Sequence, residues 1–329
     1  MRNSRDLARA PVWFLALAVV GMAEIPWQHA LAQAGLEFST AEIRVWPVQG
    51  NVYMLVGPGG NTTVQVGRDG VLVVDTQYAQ LSDKILAAIR TLSSQPIRYI
   101  VNTHAHPDHV GGNEAISLAG GTIAGGNVSG AIRDAGEGAA IVAHENVLTA
   151  MARQTPPLAF DALPTDTFFV AQKDLYFNDE AVQVLYQPNA HTDGDSIVYF
   201  RRSDVISTGD VFVTTTYPFI DRASGGSIQG IIAALNRIIQ ITVPAEKQEG
   251  GTLVVPGHGR LCDEADVVEY RDMLTIVADR IASMINDGMS LRQVQAARPT
   301  RDYDGRYGAD SGFWTTEQFV AAVYASLVE

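Results

Sequence analysis

Four side chains that can bind a metal ion lie within a span of six residues in the stretch NTHAHPDHVGGNE. They are three imidazoles and one carboxylate, from His104, His106, Asp108 and His109. The apolar run IRYIV comes directly before this stretch and is typical of a buried strand. Imidazole and carboxylate groups are ligands that suit Zn²⁺. We therefore predict a metal site in the loop that follows this strand.

Three further residues of the same chemical types occupy the same kind of position. His191 follows VQVLYQPNA, Asp210 ends VISTGD, and His258 follows TLVVPG. Because loops at the ends of strands can converge, we expect all seven side chains to meet in one cleft. Seven ligands divide as three plus three with one bridging residue, which leaves room for water at two metal ions. We expect His29 and His144 to take no part in this site.

Short strands and helices alternate along the part of the chain that carries these residues. Turn residues bound nine runs that are typical of strands, namely VYMLVG, TTVQVG, VLVVDT, IRYIVNT, AAIVAH, VQVLYQ, SIVYF, VISTG and TLVVPG. Apolar residues recur at helical spacing in Ala79–Ser94 and Gly226–Gln240. This mixture predicts an α/β layered domain over residues 33–262.

From Asp263 onward the strand signals stop. The sequence predicts one long helix that ends at Gly288, and a second helix for which Ser290 is the N-cap. RPTRDYDGRYGADSG is predicted to be a polar loop, and TTEQFVAAVYASLVE a last helix. We therefore expect a helical C-terminal extension over residues 263–329 that packs on the preceding domain.

The charge and the cysteine content of the sequence exclude some kinds of partner and of cross-link. The formal net charge is −13 at pH 7, and the Lys and Arg residues are scattered. A nucleic-acid partner would require a basic face, so we expect none. Cys262 is the only cysteine, which excludes an internal disulfide. We expect it to be a small packed residue.

The first 32 residues are predicted to be a cleaved signal peptide. MRNSRDLAR carries arginines, VWFLALAVVGMA is an apolar run of 12 residues, and HALAQ has the small-residue pattern that a signal peptidase reads. An apolar run of this length is too short to span a bilayer, so no stable membrane anchor is expected. Cleavage near Ala32 would leave the mature chain periplasmic or secreted.

The motifs THAHPDHVGG, HTDGD, TGD and PGHG, in this order, resemble those of the metallo-β-lactamase superfamily of binuclear metal hydrolases. GNTTVQVGRDGVLVVDT also resembles the N-terminal strands of that superfamily. The resemblance implies a four-layer αββα sandwich. It also implies two metal-binding groups joined by one bridging carboxylate: His104, His106 and His191; Asp108, His109 and His258; and Asp210 between them.

The resemblance implies a zinc hydrolase that acts on a small molecule. Two Zn²⁺ ions would share a water and lower its pKa from about 15.7 toward about 7. The resulting metal-bridged hydroxide would attack an ester, lactone, thioester or amide-type bond, and Asp108 would both bind metal and orient the hydroxide. Any of three aspartates could hold a ligand imidazole by its free N–H: Asp75, Asp193 and Asp195.

Two alternative functions remain open at the level of sequence. Export favours β-lactam hydrolysis, but true β-lactamases more often carry cysteine or serine at the place of Asp210. Iron in the same scaffold would make an oxidoreductase. Diiron members of the fold tend to have glutamate where His106 stands and to carry a flavin domain, and this sequence has neither; a mononuclear iron oxygenase stays open. The loop after Asp210 supplies candidate residues for the substrate pocket, namely Tyr217, Pro218 and Phe219.

Overall fold

The computed structural model describes residues 37–122 and 138–328, and its first sheet has seven strands. These strands lie side by side in chain order: β1 (Arg44–Gln49), β2 (Val52–Val56), β3 (Thr62–Gly67), β4 (Gly70–Val74), β5 (Ile97–Val101), β6 (Ala140–His144) and β7 (Asp166–Phe168). The pairs from β1 to β4 are antiparallel, and the pairs from β4 to β7 are parallel.

The second sheet has five strands in the order β12-β11-β10-β9-β8. They are β8 (Gln172–Phe177), β9 (Glu180–Tyr186), β10 (Ser196–Phe200), β11 (Val205–Ser207) and β12 (Leu253–Val255). All neighbours are antiparallel except β11 and β12, which are parallel.

Nine α-helices connect or cover these strands within the described residues. They are α1 (Ser82–Leu92), α2 (Pro107–Val110), α3 (Asn113–Leu118), α4 (Glu145–Ala152), α5 (Ile228–Ile241), α6 (Glu264–Asn286), α7 (Leu291–Ala297), α8 (Asp304–Tyr307) and α9 (Thr316–Val328). Short 3₁₀ turns lie at Ala79–Leu81, Phe160–Ala162 and Gly209–Val211. None of the helices in this part of the chain has the length and apolar character needed to cross a membrane.

The alternation of side chains along β4 separates two apolar layers. Val71 and Val73 pack on one side with Ile85 of α1, whereas Leu72 and Val74 pack on the other side against the second sheet. This is the period of two that a strand imposes. Full burial of a side chain of this size contributes roughly 1.5–3 kcal/mol. The first sheet is therefore apolar on both faces, with helices on one side and a sheet on the other.

The second sheet is covered in the same way. In β10, Val198 lies between the two sheets, whereas Ile197 packs outward in a cluster that contains Leu235 of α5, Leu274 of α6 and Phe319 of α9. The helices after residue 263 thus share one apolar cluster with the sheet. The four layers are helix, sheet, sheet and helix, which confirms the predicted αββα sandwich with a helical C-terminal region.

All nine predicted strands are present, and three further strands were not predicted from the sequence, namely β1, β7 and β8. The segment predicted to be a polar loop is wrong in one part, since it contains α8 and the buried Tyr307. Cys262 is buried as expected. The predicted signal peptide lies outside the described residues.

Candidate metal centre

The seven candidate ligands come from the carboxyl ends of strands in both sheets. The loop after β5 and the short helix α2 carry His104, His106, Asp108 and His109. The second sheet supplies His191 between β9 and β10, Asp210 in the 3₁₀ turn after β11, and His258 after β12. The structure brings all seven together at the edge where the two sheets meet.

Local sequence explains how the first four side chains turn inward. His106 has extended backbone and stands directly before α2, and Pro107 occupies the first helical position. Proline is favoured there because its fixed φ suits a helix and its missing N–H has no helical partner. The chain therefore changes from extended to helical between His106 and Asp108, which lets both residues point into the same cleft.

Loops without side-chain bulk pack closely around the cluster. A Cβ atom on Gly60 would lie 2.4 Å from His109 Cε1, and one on Gly209 would lie 2.4 Å from Thr103 Oγ1. Asn61, which the sequence analysis did not single out, connects the β2–β3 loop to the segment of His258. Its Nδ2 donates to the Pro256 carbonyl at 2.9 Å. These contacts hold the two sheets' loops in register.

The first group of ligand atoms belongs to His104, His106 and His191, and these atoms lie within 4.8 Å of one another. His106 Nδ1 faces His191 Nε2 at 2.9 Å. The rings of His104 and His191 meet edge to face, with centroids 4.7 Å apart. Three imidazoles in this arrangement could hold one metal ion.

The second group belongs to Asp108, His109 and His258, whose ligand atoms also lie within 4.8 Å of one another. His258 Nε2 is 3.2 Å from Asp108 Oδ2 and 3.4 Å from His109 Nε2. Asp108 and His109 are neighbours in the chain, yet the first turn of α2 directs both into this group. Two imidazoles and a carboxylate could hold a second ion.

Asp210 lies between the two groups. Its Oδ1 is 3.2 Å from His109 Nε2 and 3.4 Å from His258 Nε2, and its Oδ2 is 3.8 Å from His191 Nε2. One carboxylate oxygen therefore faces each group, which is the placement expected of a bridging ligand.

Hydrogen bonds on the outer side of the imidazoles determine which ring nitrogen faces the cluster. His109 Nδ1 lies 2.8 Å from Asp75 Oδ2, and His191 Nδ1 lies 2.6 Å from the carbonyl oxygen of Phe219. Each acceptor requires an N–H on Nδ1. In the neutral ring, Nε2 then carries the lone pair and points inward, as metal binding requires.

His104 is held through a relay. Thr103 Oγ1 donates to Asp75 Oδ2 at 2.7 Å, so this hydroxyl accepts from His104 Nδ1 at 3.0 Å. His104 Nε2 is left as a buried atom that has no hydrogen-bond partner among the described residues. A buried polar atom without a partner is costly, and a metal ion at this position would satisfy it.

His106 is oriented by a residue that the sequence analysis missed. Its Nε2 donates to Asp221 Oδ2 at 3.0 Å, which leaves Nδ1 to face the cluster. Asp221 is 115 positions away in the chain, in the loop from which only Tyr217, Pro218 and Phe219 had been considered. No local pattern identifies it, because an aspartate in a loop rich in glycine and serine is typical of a turn.

The charges in the cluster oppose and compensate one another. Burial lowers the pKa of His191 to about 4, with the neighbouring His106 acting in the same direction. Burial also acts to lower the pKa of His258, but Asp210 and Asp108 outweigh it and raise that pKa to about 10. Burial acts to raise the pKa of Asp108, yet His109 and His258 bring it down to about 2. Asp108 is thus ionised, and the two carboxylates favour a positive charge beside them, which His258 carries here and which a metal ion could carry instead.

Other predicted site residues have different roles. Asp195 accepts from the backbone N–H and the hydroxyl of Thr192, at 2.7 and 2.8 Å, and so braces the turn after His191 without contacting an imidazole. No hydrogen bond joins the Asp193 side chain to an imidazole of the cluster in the described part of the chain. Among the three proposed aspartates, Asp75 is the one whose side chain has a hydrogen bond to a candidate ligand imidazole within the described residues.

Tyr217 does not line a pocket. Its ring is buried and stacks on Phe319, with centroids 4.5 Å apart. Its hydroxyl donates to the Thr300 carbonyl at 3.1 Å and lies 3.1 Å from Asp304. The expectation is corrected because the C-terminal helices cover this tyrosine. Phe219, by contrast, lies beside the cluster, with its ring 5.8 Å from that of His106.

Known proteins are similar to this chain in sequence and in fold. A curated relative, the linear primary-alkylsulfatase of Pseudomonas sp. (strain ATCC 19151), is 24% identical over 263 residues, which are 68% of this chain and 46% of that protein. The chain therefore spans less than half the length of this relative.

Solved structures show the same architecture. The metallo-beta-lactamase from Pontibacter korlensis superposes with a TM-score of 0.54 at 18% identity, over 71% of this chain and 99% of that one. The stereoselective inverting sec-alkylsulfatase Pisa1 from Pseudomonas sp. superposes with a TM-score of 0.59 at 15% identity, over 86% of this chain and 50% of that one. The family model that describes the metallo-beta-lactamase superfamily matches residues 46–261. The chain belongs to the metallo-beta-lactamase superfamily.

Proposed function

We propose that this protein is a metal-dependent hydrolase of small ester-type substrates, with a pair of zinc ions held by the seven residues of the cluster. The observation that carries the proposal is the orphaned His104 Nε2, a buried lone pair aimed at other imidazole nitrogens. The donor set fits zinc, which prefers imidazole and carboxylate ligands. Outer hydrogen bonds prepare four of the rings for this role, those of His104, His106, His109 and His191.

Each residue has a definite task in the proposed centre. His104, His106 and His191 would hold one ion, Asp108, His109 and His258 would hold the other, and Asp210, which lies between the two groups, would serve both. When bound, the two ions supply an activated water at neutral pH and polarise the bond that is cleaved. Asp108 is partly exposed and ionised. Its free carboxylate oxygen can therefore accept a hydrogen bond from the attacking water and orient it.

The scissile bond is an ester in this proposal, and two kinds of ester are candidates. A carboxylic ester, lactone or thioester fits a centre that joins Lewis acid and nucleophile. A sulfate ester is favoured by the similarity to the linear primary-alkylsulfatase. Amide and β-lactam substrates are less favoured because Asp210 occupies the place where β-lactamases more often carry cysteine or serine.

Metal analysis followed by a substrate panel tests the proposal. We expect about two zinc per chain after loading and turnover of at least one carboxylic, thio- or sulfate ester. Asp108→Ala should abolish turnover on every substrate. Asp174→Ala, which removes an exposed carboxylate on β8, is the matched control and should keep full activity. Turnover by metal-free protein or by Asp108→Ala would overturn the mechanism, and iron in place of zinc would favour an oxidoreductase.

We also propose that the chain is exported and cleaved after Ala32. The arginines, the apolar run and the small-residue site in residues 1–32 support this. Expression of the full chain in a Gram-negative host should give a periplasmic protein whose N-terminus is Gln33. Intact mass and N-terminal sequencing measure this directly, and a cytoplasmic protein that retains Met1 would contradict it.

A further inference from the structure

The side chains of the metal centre differ in their exposure to solvent. The side chains of His109 and His191 are fully buried, whereas those of His106 and His258 are 24% and 30% exposed. Asp108 is also partly exposed. A substrate must therefore approach the cluster from the side of His106, Asp108 and His258.

An aromatic side chain borders this opening. The ring of Phe219 lies 5.8 Å from His106 and 5.6 Å from His191, measured between centroids. Its backbone is anchored beside the cluster, because the Phe219 carbonyl accepts the hydrogen bond from His191 Nδ1. Phe219 therefore presents an apolar face directly beside the solvent-facing imidazole of the cluster.

The C-terminal region extends this apolar face. Phe313 and Trp314, in the segment between α8 and α9, both contact Phe219 edge to face, at centroid distances of 5.1 and 4.7 Å. Trp314 is anchored because its Nε1 donates to the Pro218 carbonyl at 3.1 Å. We call Phe219, Phe313 and Trp314 the aromatic wall. It spans the boundary between the family-matched residues 46–261 and the helices that follow.

Phe313 is the member of the wall that most needs an explanation. Its side chain is 59% exposed although it is large and apolar. Single exposed apolar residues are common, and Phe160 is even more exposed at 80%. Phe313 differs because two ring contacts in series, through Phe219, connect it to the imidazole at the open side of the centre.

We infer that the aromatic wall binds an apolar chain of the substrate next to the bond that is cleaved, so the substrate class is esters with an apolar alkyl or acyl chain. The inference rests on the proposed hydrolase function, since it assigns specificity at the same site. The polar head of the substrate faces the cluster, and the chain lies along Phe219 toward Phe313. The C-terminal region thus determines specificity in this protein.

The affinity for alkanoates of increasing length measures how much the aromatic wall contributes to binding, and it requires no hydrolysis. Complete burial of one methylene group strengthens binding about fourfold, and a wall that covers one side of the chain gives about half of that free energy, or about twofold. We therefore expect the affinity of zinc-loaded protein to rise about twofold per methylene from butyrate to decanoate, as measured by titration calorimetry.

Phe313→Ala should flatten this dependence on chain length, because the longer acids lose an apolar contact at the far end of the wall. Phe313→Trp should restore it. Phe160→Ala removes another exposed phenylalanine, one that lies outside the wall, and should behave as wild type. The inference is overturned if Phe313→Ala keeps the wild-type slope, or if wild-type affinity does not depend on chain length, including the case of no binding.

The same proteins are assayed on the ester panel, which separates the two proposals. Wild-type protein that shows the chain-length dependence and its loss in Phe313→Ala, yet hydrolyses no ester, refutes the proposed function and supports the wall. Hydrolysis by wild type with identical slopes in both proteins supports the function and refutes the wall.

Discussion

Two acidic side chains of this protein, Glu180 and Asp210, have their carboxylates compensated in opposite ways. Glu180 lies at the start of β9, far from the metal centre in the fold, and four donors complete its carboxylate. Gln65 Nε2 and Ser203 Oγ donate to Oε1 at 2.6 and 2.8 Å. The backbone N–H groups of Arg202 and Ser203 donate to Oε2 at 2.9 and 3.0 Å. Hydrogen-bond donors of the protein itself therefore compensate the charge of the Glu180 carboxylate.

Asp210 is surrounded differently. Its Oδ1 faces only imidazole nitrogens, those of His109 and His258, and His104 Nε2 beside it has no partner among the described residues. Burying a carboxylate costs free energy unless donors or a cation compensate it. A buried carboxylate whose charge is compensated by hydrogen-bond donors of the protein is therefore structural. A carboxylate that faces mainly other titratable groups indicates the place of a ligand.

The largest expected effect comes from removing the negative charge of Asp210, which hydrogen-bond donors of the protein do not compensate. Asp210→Asn keeps the size of the side chain but loses its charge between the two metal groups. We expect zinc affinity and turnover to fall more than about 100-fold, because even residues that only orient ligands are typically worth 10–100-fold. Zinc content by mass spectrometry and ester turnover measure this.

Asp204→Asn provides the control for this change. Asp204 is also buried, but its carboxylate is completed by Tyr199, Gln248 and Thr252. This variant should be less stable but should bind zinc normally. Equal zinc loss in both variants would mean that a buried negative charge in general, rather than its position between the imidazoles, retains the metal.

Glu180 should show the reverse behaviour. In Glu180→Gln one carboxylate oxygen becomes an NH₂ group that faces other donors, so we expect the free energy of unfolding to fall by about 2 kcal/mol. Zinc affinity and turnover of the folded protein should not change. Urea denaturation measures the loss. Asp179→Asn, at the exposed neighbour, should cost less than about 0.5 kcal/mol, and a large effect there would break the comparison.

Sequence patterns predicted the strands whose side chains alternate or are wholly apolar, and missed those that lie at edges. β1 contains Pro47 and is largely exposed, and β8 reads QKDLYF, with mostly polar or exposed residues. Edge strands need only one partner and little burial, so their sequences carry a weak hydrophobic signal. Tyr307 was missed for a related reason, because a four-residue helix is too short to show a period.

The candidate site was predictable where its residues form a dense local motif. The span from His104 to His109 identifies itself, and each of the other ligands follows a strand. Asp221 and Asn61 could not be predicted, because they reach the cluster only through the tertiary fold. Asp193 illustrates the converse: its place near His191 in sequence suggested a contact that the turn geometry does not make.

Asp221 and Asp193 give a direct test of this distinction. Asp221→Asn leaves an amide whose oxygen accepts more weakly from His106 Nε2, so the ring loses part of the charge that orients it. We expect zinc to bind about 10-fold to 100-fold more weakly, with release of one ion before the other. Competition with a fluorescent chelator measures both steps. Asp193→Asn should have no effect, and a matching loss there would show that charge near the site, not the contact, matters.

The smallest expected effect is at Ser227, which caps α5 and also contacts the loop of His191. Its Oγ accepts from the Gly230 N–H at 3.0 Å and donates to the Asn189 carbonyl at 2.7 Å. Ser227→Ala should lower the free energy of unfolding by about 1 kcal/mol, the usual worth of an N-cap, and Ser227→Thr should recover most of it.

Zinc affinity should not change in Ser227→Ala. The backbone bond from Ser227 N–H to the Ala190 carbonyl, at 2.8 Å, does not depend on the side chain and continues to hold the loop before His191. Ser227 thus resembles Glu180, because the hydrogen bonds of its side chain are made within the protein. A fall in zinc affinity for Ser227→Ala would instead place the capping hydroxyl among the groups that support the metal centre. In that case, a full set of hydrogen bonds within the protein would not distinguish a structural residue from one that supports metal binding.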